Sequence, residues 1–176
     1  MTTPLLFTAI EDVLQQGCVF LDSVDDETYA RPLHGPLSSS LGAHYRHTLD
    51  HLFCLVDGIP SGHINYDHRR RDTEMETSVR MARLATESLM KTFRELPAQA
   101  LQQQCTISYS ISYNHGEAAE APSNMAREVM FCVGHMVHHY ALLRVLCREL
   151  SIDLPYEFGI APSTLKRHEV TTEGRA

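Results

Sequence analysis

Apolar residues recur along this chain in alternating steps of three and four, in four separate stretches. The first runs Leu6, Ile10, Val13, Gly17, Phe20, Val24, and the second Leu41, Tyr45, Thr48, Leu52, Leu55. The third runs Met75, Val79, Ala82, Leu89, Phe93, Leu96, with polar Thr86 filling one step. The fourth runs Met125, Val129, Cys132, Met136, His139, Leu143, Leu146, Leu150. Such spacing puts each series on one stripe of an α-helix. Only a common core buries four stripes at once, so the expected fold is all-α, a four-helix bundle.

The segment ends agree. Ser38, Ser39 and Ser40 offer an N-cap to the second helix, and Gly58 with Pro60 closes it. Asp72 is placed to cap the third helix, and Pro97 follows its end. Pro122-Ser123 opens the fourth, with Pro155 just beyond it. Two connections are long, residues 59–71 and 97–122, and long loops usually carry function or cross the bundle. Residues 105–113 alternate polar and apolar, and Asn114-His115-Gly116 signals a turn, which predicts a small β-hairpin between the third and fourth helices. Residues 151–167 read as an ordered cover anchored by Phe158 and Leu165. The single domain is therefore expected over residues 1–167, with 168–176 frayed.

Composition narrows the class. A chain of 176 residues, 43% hydrophobic, is long enough to fold around its own core without disulfides. A net charge of −7 argues against a nucleic-acid partner, which requires a basic face. No stretch approaches the ~20 apolar residues of a membrane span, and the start lacks a signal-type run, so a cytoplasmic location without membrane association is expected. Cysteines 18, 54, 105, 132 and 147 stand singly, with no Cys-x-x-Cys pair. They are expected as reduced thiols packed like small hydrophobes, not as a disulfide framework.

Histidine is the outlier, with 11 copies. The second helix carries His44, His47 and His51; the fourth carries His135, His138 and His139. At one turn's separation, His135 and His139 lie about 40° apart on their helix, as do His47 and His51, whereas His138 points away from His139 by about 100°. A lone histidine on an apolar stripe, such as His139, is commonly a core residue bonded to a backbone carbonyl. Three facing three is better explained by a metal. Imidazole suits Zn, Ni, Cu or Fe, and three protein ligands with one open position make a catalytic type of site. Two ligands from the fourth helix and one from the second would meet in the bundle. By stripe position alone, His51 or His44 is the better third ligand, because both lie nearer the apolar centre of their helix than His47 does.

The pattern is not that of a zinc protease, since Met136 stands where His-Glu-x-x-His places its base. A hydrolytic role would need a carboxylate from elsewhere. Glu128 is the candidate catalytic base, two turns before His135 and within about 20° of the same direction; Asp50 is a second. The alternative for Glu128 is a helix-surface acid in the first turn, favoured by the helix dipole.

These residues resemble the DinB/YfiT-like superfamily of four-helix-bundle metalloproteins. Ser40-Leu41-Gly42-Ala43-His44-Tyr45-Arg46-His47 is similar to the family segment that ends in the first metal histidine. Gly134-His135-Met136-Val137-His138-His139-Tyr140-Ala141-Leu142 is similar to its His-x-x-x-His segment. Arg127-Glu128 and the stretch from Phe158 to Thr164 resemble an uncharacterised subgroup. The resemblance implies a divalent transition metal (Zn, Ni or Fe) held by His47, His135 and His139, with His44, His51 and His138 as supporting or pocket groups. It also implies, from members with assigned roles, a metal-dependent transferase acting with a low-molecular-weight thiol on a small-molecule substrate. A metal-dependent hydrolase and a non-catalytic metal-dependent binding or sensing module are the alternatives. A helix face could also pair two copies into a homodimer, which nothing in the pattern requires.

One further feature is the run Asn65-Tyr66-Asp67-His68-Arg69-Arg70-Arg71-Asp72. Tyr66 and Arg70 are candidate pocket residues, and the arginines could receive an anionic group near the metal. The alternative is a solvated run paired with Asp67, Asp72, Glu74 and Glu76. Ligation requires neutral imidazoles, so metal affinity is expected to fall below about pH 6.

Overall fold

The structure, a computed structural model, describes residues 4–34, 39–114 and 116–173, with side chains through residue 167. Ser38 and His115, named above as cap and turn residues, lie outside the described residues. The chain is mostly helical. Its elements are α1 (Leu5–Asp22), α2 (Asp26–Ala30), α3 (Leu41–Gly58), β1 (His63–Asn65), α4 (Thr73–Thr77), α5 (Val79–Glu95), a short 3-10 turn (Ala98–Gln102), β2 (Gln104–Tyr109), β3 (Ala119–Asn124), α6 (Met125–Glu149) and α7 (Pro162–Glu173).

The four long helices α1, α3, α5 and α6 carry the four predicted stripes. Around the bundle, α5 packs on α1 and α3, and α6 packs on the same two from the other side. The stripe residues Ile10, Phe20, Leu41, Tyr45, Leu52, Ala82, Cys132, Met136 and Leu143 are all fully buried. Thr86, the polar step in the third stripe, is buried as well because its hydroxyl bonds the Tyr45 hydroxyl at 2.8 Å and donates to the Ala82 carbonyl. Helix α6 is long and apolar enough to cross a membrane by length and composition. Its apolar stripe, however, is covered by α1 and α3.

The third predicted helix is two helices. Asp72 caps α4 as expected, but Ser78 is extended, with φ −127° and ψ 117°, and its side chain starts α5 by accepting from Met81 N. Tertiary partners take up the groups freed by the break. The Tyr29 hydroxyl donates to the Met75 carbonyl, and the Asp26 carboxylate accepts from Val79 N. At Gly42 the α4 backbone presses directly onto α3, and a Cβ there would collide with the Glu76 carbonyl oxygen. The fourth helix is opened by Asn124, whose side chain accepts from Arg127 N, and Pro122-Ser123 belongs to β3 instead.

The expected hairpin is present as β2 and β3, antiparallel from Gln104↔Asn124 to Tyr109↔Ala119. Strand pairing stops at Tyr109, short of Tyr113. A third strand, β1, pairs parallel to β2 with Ile64↔Ile107, completing a sheet of order β1-β2-β3. Its three residues are too few to show any alternation. The sheet matters to the site because it pins the arginine loop. Tyr66 N donates to the Ser108 carbonyl, Ser110 N donates to the Asp67 carboxylate, and the Asn65 side chain accepts from the backbone of Asp67 and His68.

The cover segment folds back onto α6. Phe158 is 1% exposed and stacks on Tyr140, ring centroids 4.9 Å apart. Gly159, at φ +68°, allows this close approach, since a Cβ would meet the α6 backbone at Tyr140. Beyond it, α7 continues to Glu173, through a stretch expected to fray. All five cysteines are buried and unpaired.

Candidate metal centre

Helix α3 begins at Ser40, whose hydroxyl accepts from Ala43 N at 2.9 Å, and α6 begins at Asn124. Packing of α3 on α6 turns His47 toward His135 and His139. The three rings meet edge to face, with centroids 5.1 Å (His47–His135), 4.6 Å (His47–His139) and 4.6 Å (His135–His139) apart. One nitrogen from each ring lies within 4.8 Å of those of the other two. All three side chains are half-buried, so the cluster faces solvent on one side.

The donors suit a cation. His47 Nε2 and His135 Nε2 are 3.2 Å apart, close to the edge of about 3.4 Å for a tetrahedron with metal–nitrogen bonds of about 2.0–2.1 Å. His139 Nδ1 is buried without a hydrogen-bond partner among the described residues, a cost that coordination through that nitrogen would offset. Burial, reinforced by the neighbouring rings, pushes His47 down to about 2, His135 to about 3 and His139 to about 4. All three imidazoles are therefore neutral at physiological pH, the form a metal requires.

The other predicted residues are distributed unevenly around this cluster. His51, at 6% exposure, lies against His135 with centroids 4.0 Å apart and against His47 at 4.6 Å. Its Nδ1 bonds the His47 carbonyl oxygen, and its ring stacks on Tyr66 at 5.6 Å. His44 sits farther out, 6.0 Å from the His139 ring. Stripe position favoured these two over His47, yet it is His47 that joins the cluster. The stripe marks the deepest face of α3, whereas the half-buried cluster sits on its flank. His138 is exposed and meets the cluster at the edge of His139, ring centroids 5.4 Å apart.

Glu128 is fully buried, which overturns the helix-surface alternative. Its carboxylate accepts from the Tyr66 hydroxyl at 2.8 Å, the Ser123 hydroxyl at 2.5 Å and the Arg127 guanidinium at 2.9 Å. Three donors leave little of it for proton transfer. Asp50 is likewise fully buried and paired with Arg46, which also reaches Glu76.

Arg70 does not reach the cluster. It grips both Asp57 oxygens at 2.8 and 2.9 Å and lies over the Phe53 ring. Its neighbour Arg69 points inward instead, Nη1 3.3 Å from His47 Nδ1. Three of the four acids expected to neutralise the run are engaged elsewhere: Asp67 with Ser110 N, Asp72 as a cap, Glu76 with Arg46. Phe131 is a residue the sequence reading missed; its ring stacks on His135 at 5.8 Å and tilts against Tyr66 at 5.2 Å. Its signal was available, since 131, 135 and 139 share one helix face.

No family model matches the chain. The chain is 32% identical over 103 residues to FK506-binding protein 5 of Rhizopus delemar, a match covering 58% of this chain but only 27% of that protein. Among solved structures it is similar to a DinB-like protein, YjoA, of Bacillus subtilis: TM-score 0.63, 16% identity, 87% of this chain and 97% of that one. A DinB-like protein of Bacillus cereus aligns over 84% of this chain and 89% of its own with TM-score 0.49 and 15% identity. The likeness to the Bacillus subtilis protein shows a shared fold.

Proposed function

We propose that this chain, which has the fold of a DinB-like protein, binds one divalent transition metal (Zn, Ni or Fe) through His47, His135 and His139 and serves as a metal-dependent enzyme. The observation that carries the reading is the convergence of three neutral ring nitrogens from α3 and α6 within 4.8 Å. Bound there, the metal would act as a Lewis acid toward a coordinated thiol or water.

The chain's own groups do the rest. His51 holds the backbone of His47 and backs the cluster; Tyr66 and Phe131 wall it with rings. Arg69 brings a positive charge to its edge. Transfer to a low-molecular-weight thiol suits this lining better than hydrolysis does, because Glu128 is fully buried with Tyr66, Ser123 and Arg127 on its carboxylate, and Asp50 is fully buried with one oxygen bound to Arg46. Five buried, unpaired thiols support a reducing, cytoplasmic setting.

Elemental analysis of the purified protein should find one equivalent of metal, absent from the His135→Ala/His139→Ala double variant. The metal-loaded protein should then consume an electrophile only when a small thiol is supplied. Metal content unchanged in the double variant would refute the site; turnover without a thiol would favour the hydrolase.

A further inference from the structure

The arginines at 69, 70 and 71 are put to three different uses. Arg71 is exposed at φ 50°. Arg70 ties the loop to α3 through Asp57 and Phe53. Arg69, half-buried, is thereby directed at the histidine cluster. Among the described residues it has no carboxylate partner, whereas Arg46, Arg70, Arg83, Arg94 and Arg127 each have one.

Its bond to His47 is informative. A guanidinium only donates, so His47 Nδ1 accepts, and the ring proton sits on Nε2 and is donated to His135 Nε2 across 3.2 Å. Were His47 Nε2 to hold a cation, the ring's remaining proton would sit on Nδ1. Two donors would then face each other, and Arg69 must release His47. What remains is a half-buried positive fork beside the site, with no carboxylate paired to it among the described residues.

We propose that Arg69 is the specificity-determining residue of this site, and that the site takes small molecules carrying a carboxylate on an apolar or aromatic body. The inference rests on the metal reading above. A single planar fork matches a carboxylate through two parallel N–H···O bonds. Among the described residues Arg69 is the one guanidinium within hydrogen-bond distance of the three rings, in a chain of net charge −7. The Phe131 ring beside His135 offers the apolar wall for the body of the ligand.

The test uses protein loaded with Co(II), its cobalt content measured first, then titrated calorimetrically with benzoate and with its neutral isostere benzamide. Benzoate should bind the loaded wild type at one equivalent per cobalt. Arg69→Gln should weaken benzoate at least tenfold and leave benzamide unchanged. It should also retain cobalt fully, because the Gln carbonyl can accept from His47 Nδ1–H. Arg69→Lys keeps the charge but not the fork; it should fall between, and it carries the test should Gln impair folding. Benzoate affinity unchanged in both variants, an equal loss for benzamide, or no benzoate binding to loaded wild type would overturn the inference. Failure of wild type to take up cobalt would instead refute the metal reading itself.

Discussion

The Nδ1–H of His51 is donated to the carbonyl oxygen of His47, 2.9 Å away and one turn earlier on α3. That bond fixes the tautomer of His51 and steadies the backbone from which His47 reaches the cluster. The two histidines should therefore respond differently to truncation. His47→Ala should lose the metal. His51→Ala should keep it with affinity lowered by about 10–100-fold, the usual effect of removing a group that orients a ligand. Equilibrium dialysis with elemental analysis distinguishes them, and metal lost in His51→Ala but kept in His47→Ala would reverse the assignment.

Stability of the metal-free protein should depend on pH through the same rings. In the unfolded chain imidazoles take up protons near about 6.5. In the folded chain burial holds uptake off to about 4 at His139, about 3 at His135 and about 2 at His47. Below about pH 6.5 the unfolded state therefore binds more protons, and stability falls as pH falls toward those values. The urea midpoint should be flat between pH 8 and 7 and decline below about 6.5. His135→Gln should flatten the decline. The cluster should also hold metal to lower pH than the value near 6 expected of free imidazoles, which dialysis at stepped pH would measure.

Glu128 is fully buried and tied to Tyr66, Ser123 and Arg127. Glu128→Gln keeps the volume but turns one acceptor oxygen into a donor facing donors. The expected loss is about 1–3 kcal/mol in chemical denaturation, with metal content unchanged. A variant as stable as wild type but devoid of activity would instead mark Glu128 as a catalytic base.

Gly42 is where α4 touches α3. Gly42→Ala would drive a methyl group into the Glu76 carbonyl, a backbone atom that cannot rotate away. The expected destabilisation is about 1–3 kcal/mol or more. Gly134→Ala, on α6 with nothing within reach of its Cβ, should be neutral or slightly stabilising. Urea titration of the pair checks both.

The helical stripes were legible because a period near 3.6 is a local property, repeated over several turns in each long helix. Polar Thr86 broke the pattern only in sequence; its hydroxyl is satisfied within the core by Tyr45 and Ala82. The break at Ser78 was hidden for the opposite reason. Met75 and Val79 keep helical spacing on both sides of it, and the groups that compensate it, Tyr29 and Asp26, lie some fifty residues upstream. Strand β1 was invisible because three residues carry no alternation and its partner lies across α4 and α5.

At the site, the sequence by itself determined which residue types were available: histidines one turn apart on two amphipathic helices. Only packing decided which of them converge, because helical periodicity gives a direction about one axis and says nothing of where the neighbouring helix crosses. That crossing moved the cluster from the stripe centre to its flank, leaving His51 beneath and His47 at the opening. The same holds for the loop. Three adjacent arginines are indistinguishable in sequence, and it took the anchoring of Arg70 on Asp57, fixed by a sheet edge, to turn Arg69 inward.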